Sequence, residues 1–279
     1  MVTRGGTLLL HLSKCRTTLQ TERKKMNAAV KLDQADMLNK VPQLTIYFWI
    51  NKIMATTVGE TVADLLSVKL SLGLVVASVI VGVLLLIALF VQLRLRKYVP
   101  SVYWVAVVLI SVAGTLITDN LVDNFGIPLW VTTVGFAVAL CATFVAWYCV
   151  EKSLSVHTIK TTRRELFYWS AILFTFALGT AGGDLLAEGA QLGYTYSALL
   201  FAGSIALVTL AYYKFGLNAV VAFWLAYILT RPLGASLGDL MSQPTPNGGL
   251  GLGTVMTSAA FLVVILGLVI FMLARQDAS

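Results

Sequence analysis

The chain has 279 residues, of which 58% are hydrophobic and 12% are charged. The charged share is about half of that in soluble globular domains, which excludes an ordinary soluble protein. The formal net charge is +7. Because the Lys and Arg residues cluster between long apolar segments, we predict a lipid bilayer as the partner of this chain and no nucleic acid.

Eight segments of the chain are long and apolar enough to cross the ~30 Å hydrocarbon core of a membrane as helices. In chain order they cover about 44–66, 70–93, 100–121, 125–150, 166–187, 189–213, 217–239 and 250–274. Strands of a membrane barrel are excluded, because the apolar runs are much longer than about ten residues and do not alternate. The expected fold is therefore all-α, a polytopic membrane bundle of about eight transmembrane helices.

One motif recurs four times, as a Trp followed ten residues later by Gly and fifteen residues later by Asp. Its copies are Trp49, Gly59 and Asp64; Trp104, Gly114 and Asp119; Trp169, Gly179 and Asp184; and Trp224, Gly234 and Asp239. Such repetition indicates a repeat architecture. We predict four tandem two-helix repeats of the same orientation, at about 44–93, 100–150, 166–213 and 217–274.

These repeats form a predicted membrane domain of residues 41–275, between a basic, disordered N-terminal tail (1–40) and a short C-terminal tail (276–279). Seventeen of the twenty Lys and Arg residues fall in the tails and in the loops on one side of the eight spans. By the positive-inside rule, both termini are cytoplasmic. Each Trp then lies near the cytoplasmic face, and each Asp lies about 22 Å further out along its helix.

The Gly and the Trp of the motif each have two interpretations. The glycines begin small-xxx-small pairs with Ala63, Thr118, Gly183 and Gly238, a pattern that lets helices pack closely in lipid; the alternative is a break in each helix. The tryptophans are expected to be anchors at the membrane interface, and the alternative is a stacking platform for a ligand.

The four aspartates are the leading candidates for a functional site, because a carboxylate at a helix C-terminus within a membrane is unfavourable without a compensating role. They either form a convergent site that binds a cation or relays protons, or they are inherited structural residues that accept hydrogen bonds from the following loops. Carboxylate oxygens suit Mg, Mn or Ca, but the sequence does not select a metal.

The ionisable residues within the spans all lie in the odd-numbered ones, so we expect these four helices to converge and the even-numbered ones to face lipid. Three further ionisable residues break the symmetry of the repeats: Lys52, Glu60 and Arg231. We predict that they pair between helices, with Arg231 and Glu60 as one candidate pair. The four aspartates and Glu60 give five acids against the two bases Lys52 and Arg231, and this excess of negative charge favours a cation or protons over an anion.

No catalytic or nucleotide-binding fingerprint occurs in the sequence. We therefore predict that the protein is not an enzyme and needs no cofactor.

The repeats resemble those of bacterial integral membrane proteins built from four tandem copies of a repeat of unknown function. The resemblance covers about residues 44–275 and rests on the four motif copies, together with Phe-Trp-Ile-Asn-Lys at 48–52 and Thr-Thr-Val-Gly-Glu-Thr at 56–61. It implies a bacterial plasma membrane protein and transfers no functional residue.

From the residues themselves we expect a transporter or permease for a small cation, either a divalent metal or a proton-coupled ion. The alternative is a membrane sensor or scaffold whose polar groups only hold the bundle together. A homo-oligomer is compatible with either function.

Overall fold

The computed structural model describes residues 39–277, and in this range the chain is helical and contains no strand. Its eight α-helices are α1 (Ile46–Asp64), α2 (Gly73–Arg94), α3 (Pro100–Asp119), α4 (Leu129–Glu151), α5 (Thr162–Asp184), α6 (Gly193–Phe215), α7 (Ala219–Ser242) and α8 (Gly253–Asp277). Their positions confirm the all-α prediction, with two helices in each of the four repeats. Most of the predicted tail, residues 1–38, lies outside the described residues.

Seven of these helices are long and apolar enough to cross a membrane, so the chain is a multi-span membrane protein. The exception is α1, which carries Lys52, Glu60 and Asp64 within its 19 residues. Most of the middle of α1 is buried by other helices, so its charges face protein rather than lipid. This arrangement avoids the cost of exposing ionised groups to hydrocarbon.

The odd-numbered helices form a closed ring. Helix α1 packs against α3, α3 against α5, α5 against α7, and α7 returns to α1. We call these four the inner helices. This packing confirms that the polar spans converge, as expected from their composition.

The even-numbered helices, here called the outer helices, surround the ring. Each packs chiefly on the inner helix of the next repeat: α2 on α3, α4 on α5, α6 on α7, and α8 on α1. In the most apolar 18-residue stretch of each outer helix, only 11–22% of the residues are buried, compared with 56–67% in the same stretch of α3, α5 and α7. Their exposed side chains are mainly Val, Leu, Ile and Phe, which form the expected lipid-facing shell.

The motif glycines lie where neighbouring inner helices touch. A Cβ atom added to any of them would lie only 2.5–2.9 Å from the Cβ atom of a residue on the neighbouring inner helix. The four contacts are Gly59 with Ser111 (2.6 Å), Gly114 with Phe176 (2.9 Å), Gly179 with Arg231 (2.5 Å) and Gly234 with Thr56 (2.6 Å). Each partner is the residue three positions before the motif Gly of the next repeat, so the same contact recurs around the ring. All four glycines lie inside continuous helices. The structure therefore supports the packing interpretation and shows no helix break at these positions.

The inner helices end differently in the fourth repeat. One π-helical turn follows Asp64, Asp119 and Asp184, at Leu65–Lys69, Asn120–Asn124 and Leu185–Gly189. Such turns are uncommon and are often found at functional sites. After Asp239, α7 instead continues to Ser242 and enters an irregular loop with a 3-10 turn at Thr245–Asn247. The fourfold pattern is therefore broken at this end of α7.

Candidate functional site

The axis of the ring is lined by residues spaced four apart along each inner helix. In α1 they are Phe48, Lys52, Thr56, Glu60 and Asp64, since residues at this spacing share one helix face. The equivalent residues of the four repeats form five layers. We call the end with the aromatic layer and the motif tryptophans the Trp end, and the end with the four aspartates the Asp end.

From the Trp end, the first four layers are Phe48, Tyr103, Tyr168 and Phe223; Lys52, Val107, Ile172 and Tyr227; Thr56, Ser111, Phe176 and Arg231; and Glu60, Thr115, Thr180 and Ala235. Every one of these residues is buried. The fifth layer is the aspartate quartet, in which Asp239 is buried and the other three are partly buried. The axis is therefore closed by packed side chains at the Trp end and more accessible at the Asp end.

Arg231 lies at the centre of the ring and is completely buried. Its Nη2 atom donates a hydrogen bond to Glu60 Oε2 at 3.0 Å, to Thr180 Oγ1 at 2.6 Å, and to Thr115 Oγ1. These partners belong to α1, α5 and α3, so one guanidinium connects all four inner helices. The structure confirms the predicted pair of Arg231 and Glu60.

Lys52 lies nearer the Trp end than Arg231 and is 1% exposed. Its Nζ atom has no hydrogen-bond partner among the described residues. Instead it lies over the rings of Phe176 and Tyr227, 4.0 and 4.2 Å from their centroids. Cation–π attraction stabilises a desolvated ammonium by about 2 kcal/mol. Lys52 therefore pairs with aromatic faces, and Phe176 separates it from Arg231.

The four aspartates converge at the Asp end. All four are close enough to Glu60 to interact with it electrostatically. Asp64 also interacts with each of the other three, Asp119, Asp184 and Asp239. Within residues 39–277, however, no three His, Cys, Asp or Glu side chains are placed so that they could share one metal ion. The quartet is thus an acidic region above Glu60 rather than a preformed metal-ligand cluster.

A cavity of about 600 Å³ adjoins one member of the quartet. It is lined by Asp64 of the first repeat and, from the end of α7 to the start of α8, by Ser242, Gln243, Asn247 and Thr254. Gln243 Nε2 donates a hydrogen bond to Asp64 Oδ2 at 3.4 Å. The cavity therefore lies where the fourth repeat departs from the other three and closes against the first.

A larger cavity of about 760 Å³ lies between α1, α6 and α7, towards the Trp end. Most of its lining is aliphatic or aromatic, including Trp49, Tyr212 and Phe223, and none of the described residues that line it is a carboxylate. This composition is suited to apolar contents.

The structure corrects the interpretation of the motif tryptophans as interface anchors. Trp104, Trp169 and Trp224 are only 1%, 4% and 5% exposed, and Trp49 is partly buried. An anchoring ring would reach the lipid headgroups, whereas these rings pack against aromatic side chains of other helices. The Trp224 Nε1 atom donates a hydrogen bond to the Leu154 carbonyl at 3.0 Å. The tryptophans are therefore packing residues that help to close the Trp end.

The sequence did not indicate the partners at the axis. The rings of Phe176 and Tyr227 contact the Lys52 ammonium through their faces. The hydroxyl groups of Tyr103 and Tyr168 are hydrogen-bonded to each other at 2.6 Å. The signal that could have found them is the four-residue spacing, since each one lies a multiple of four residues before the motif Asp of its repeat. The motif alone did not show that this spacing marks the face towards the axis.

A second buried ion pair was also missed. Lys40 Nζ lies 2.6 Å from Glu165 Oε2, and Gln92 Nε2 donates a hydrogen bond to Glu165 Oε1 at 3.1 Å. All three residues are buried. Lys40, which the sequence placed in the disordered tail, is therefore part of the membrane domain, and the described compact unit begins with it.

The comparisons with known proteins agree with this architecture. A family described as "Repeat of Unknown Function (DUF347)" matches residues 47–98, 102–153, 167–217 and 222–277, one match for each repeat. The chain belongs to this repeat family. The resemblance drawn from the motif is thereby confirmed. No curated protein and no solved structure gave a significant match.

Proposed function

We propose that the protein is a permease that moves a small cation through the ring of inner helices. The observation that carries the proposal is the convergence of four aspartates, one from each repeat, above the buried Glu60. Moving a cation into a membrane interior costs several kcal/mol of lost hydration. A group of carboxylates at the entrance offsets part of that cost and raises the local cation concentration.

The ion pair of Glu60 and Arg231 supplies a point of control below this entrance. Glu60 is the carboxylate nearest the ring centre, and in the observed conformation it is held by Arg231 and Thr115. A cation or a proton that reached Glu60 would compete with Arg231, and release of the guanidinium would loosen all four inner helices. This competition gives a route by which ion binding opens the ring, and it involves no catalytic step.

The distribution of Lys and Arg supports an orientation with the Asp end outside and both termini in the cytoplasm. In that orientation the buried aromatic layer, with Phe48 and Tyr103, forms the cytoplasmic barrier. The resemblance of the repeats to bacterial membrane proteins favours the bacterial plasma membrane as the location.

The proposal is tested by ion content and ion flux. Cells that express the wild-type chain are compared with cells expressing an Asp64/Asp119/Asp184/Asp239→Asn variant at equal membrane abundance, and total cellular ions are measured by mass spectrometry. Purified protein in liposomes is then assayed for uptake of the ion that changes and for proton movement. We expect a selective change in wild-type cells that the variant loses.

Glu151→Gln is the control, because Glu151 is a carboxylate at the Trp end that pairs with Arg163 and Arg164, each at 2.6 Å. It should leave flux unchanged. Absence of ion or proton flux from wild-type liposomes would contradict the permease.

The second candidate is a membrane sensor or scaffold. It is favoured by the dense packing of the axis, where the motif glycines leave no space between neighbouring helices and Arg231 joins all four of them. This function predicts that neutralising the aspartates lowers stability or abundance and that no flux exists to be lost. Measuring abundance and flux in the same variants separates the two functions.

A further inference from the structure

We propose that the cavity beside Asp64 is a binding site for an alkali-metal cation such as Na⁺ or K⁺. This inference rests on the proposed function, since the bound ion would be the one that enters the ring. The site lies off the axis, between the first repeat and the loop that follows α7. It is therefore a single site in a molecule whose repeats otherwise follow a fourfold pattern.

The first argument is that the cavity has a fixed wall. The loop after α7 is held by its own backbone hydrogen bonds, from Leu250 N to Leu240 O at 2.6 Å and from Gly251 N to Gln243 O at 2.9 Å. It packs so closely that a Cβ atom added to Gly249 would lie 2.6 Å from the Gln243 carbonyl carbon. A wall held in this way loses little conformational freedom when an ion binds.

The second argument comes from two hydroxyl groups. Ser242 and Thr254 line the cavity, are 5% and 7% exposed, and have hydroxyl oxygens without a hydrogen-bond partner in the described part of the chain. They differ in this from helical hydroxyls such as those of Ser67 and Thr257, which each bond to the carbonyl four residues earlier at 2.8 Å. An unsatisfied buried polar group costs about 1–3 kcal/mol. The two oxygens are thus free to act as ligands.

The third argument concerns the charge of the ion. Among the described residues that line the cavity, Asp64 is the only carboxylate. Its neighbours Ser242, Gln243, Asn247 and Thr254 provide neutral oxygen atoms. All-oxygen sites for Ca²⁺ generally contain several carboxylates, so one carboxylate with neutral oxygens matches a single positive charge. Lys69 also lines the cavity but is exposed, so water screens its charge.

The fourth argument is the position of the cavity. Asp64 lies at the end of the same helix face as Glu60, four residues further along α1. The two carboxylates interact electrostatically. An ion held at Asp64 is therefore one helical turn from Glu60, the carboxylate that accepts a hydrogen bond from Arg231. This proximity connects the cavity with the control point of the ring.

The test measures binding directly on the purified full chain in detergent. Thermal unfolding is followed in Na⁺, K⁺, NH₄⁺, Mg²⁺ and Ca²⁺ chlorides at constant ionic strength, with choline chloride as the reference, because a ligand that binds the folded state raises its stability. Isothermal titration calorimetry then gives the dissociation constant of the stabilising ion. We expect Na⁺ or K⁺ to stabilise the wild-type chain more than the divalent ions do.

Two variants should weaken this binding by about 10- to 100-fold, the usual effect of removing a group that supports an ion site. They are Asp64→Asn and the double variant Ser242→Ala/Thr254→Val, which keeps the site testable if the first variant fails to fold. Glu151→Gln and Thr257→Val are matched controls, since Glu151 is a carboxylate at the Trp end and Thr257 is a bonded hydroxyl on α8, and neither lines the cavity. Both controls should bind the ion as the wild type does.

The site is refuted if divalent ions stabilise the protein best, if no cation stabilises it beyond choline, or if the double variant binds as tightly as its controls. Stabilisation by NH₄⁺ alone would refute the alkali-metal assignment. Failure of this inference is distinguishable from failure of the permease, because binding is measured without transport. Ion binding at Asp64 without flux would overturn only the permease, and flux that survives in the double variant would overturn only this site.

Discussion

Replacing the motif glycines by alanine should weaken the ring, whereas the same change in the outer helices should not. The relevant variants are Gly59→Ala, Gly114→Ala, Gly179→Ala and Gly234→Ala. Each new methyl group would enter a contact in which the neighbouring Cβ atom is only 2.5–2.9 Å away. Ordinary carbon–carbon contacts are ~3.5–4.0 Å, so the two helices would have to separate by about 1 Å.

The expected energy follows from two opposing terms. Alanine favours a helix over glycine by about 1 kcal/mol, and overpacking a close contact costs about 1–3 kcal/mol. In a closed ring a helix cannot move away from one neighbour without disturbing the other, so we expect the upper part of that cost. The free energy of unfolding should fall by about 1–2 kcal/mol for each inner-ring variant. Gly114→Ala should show the smallest loss, because its Cβ contact is the longest at 2.9 Å.

Matched controls are available on the outer helices. Gly82, Gly135 and Gly203 have no atom within 4 Å of an added Cβ, so their alanine variants should be neutral or stabilised by up to about 1 kcal/mol. Unfolding is followed by SDS titration of the purified protein in mixed micelles. Tryptophan fluorescence reports the opening of the ring, because three of the four motif tryptophans are buried. Equal stability of the inner and outer variants would refute the close-packing argument.

Three further predictions concern the buried charges. Glu60→Gln and Arg231→Met should each lower the free energy of unfolding by about 3–5 kcal/mol, because each leaves one buried charge unpaired, and Glu60→Gln/Arg231→Met should be less harmful than the sum of the two; additive losses in this double-mutant cycle would contradict the pairing. Lys52→Met should raise the midpoint of SDS unfolding, since an ammonium without a hydrogen-bond partner is replaced by an apolar chain of similar length; a lower midpoint would show that the contacts with the aromatic rings dominate. Glu165→Gln should destabilise the protein by about 3 kcal/mol, because the buried Lys40 ammonium loses its carboxylate and keeps only the Leu93 carbonyl, and Glu165→Gln/Lys40→Met should recover most of that loss; no recovery would contradict a direct pair.

The sequence predicted much of the fold because membrane helices are recognised from local properties. The length of each apolar run indicated the spans, and the repeat showed that four helices share an orientation. The ionisable residues in the odd-numbered spans indicated which helices avoid lipid, and the structure places those helices in the inner ring. The small size of Gly59 and its counterparts predicted close packing, which the structure bears out.

The same local rules gave the candidate site only in part. Arg231 and Glu60 could be proposed as partners because both are charged residues in polar spans, and they do pair. The rings around Lys52 could not be identified, because Phe176 and Tyr227 are ordinary apolar residues of other helices. Trp104 was misplaced for a related reason: an aromatic residue near a helix end has the same sequence signature at a lipid interface as in a packed aromatic layer.

The sequence by itself therefore determined the number of helices, their common orientation, and the distance of each Trp, Gly and Asp along its helix. These follow from the fixed rise and periodicity of an α-helix. Only the tertiary structure decided how the helices are rotated about their own axes and which ones touch. Closing the ring brings α7 back to α1, and this places Arg231 beside Glu60 and the loop after Ser242 beside Asp64. Contacts between residues more than 170 positions apart depend on that closure, and no local spacing in the chain specifies them.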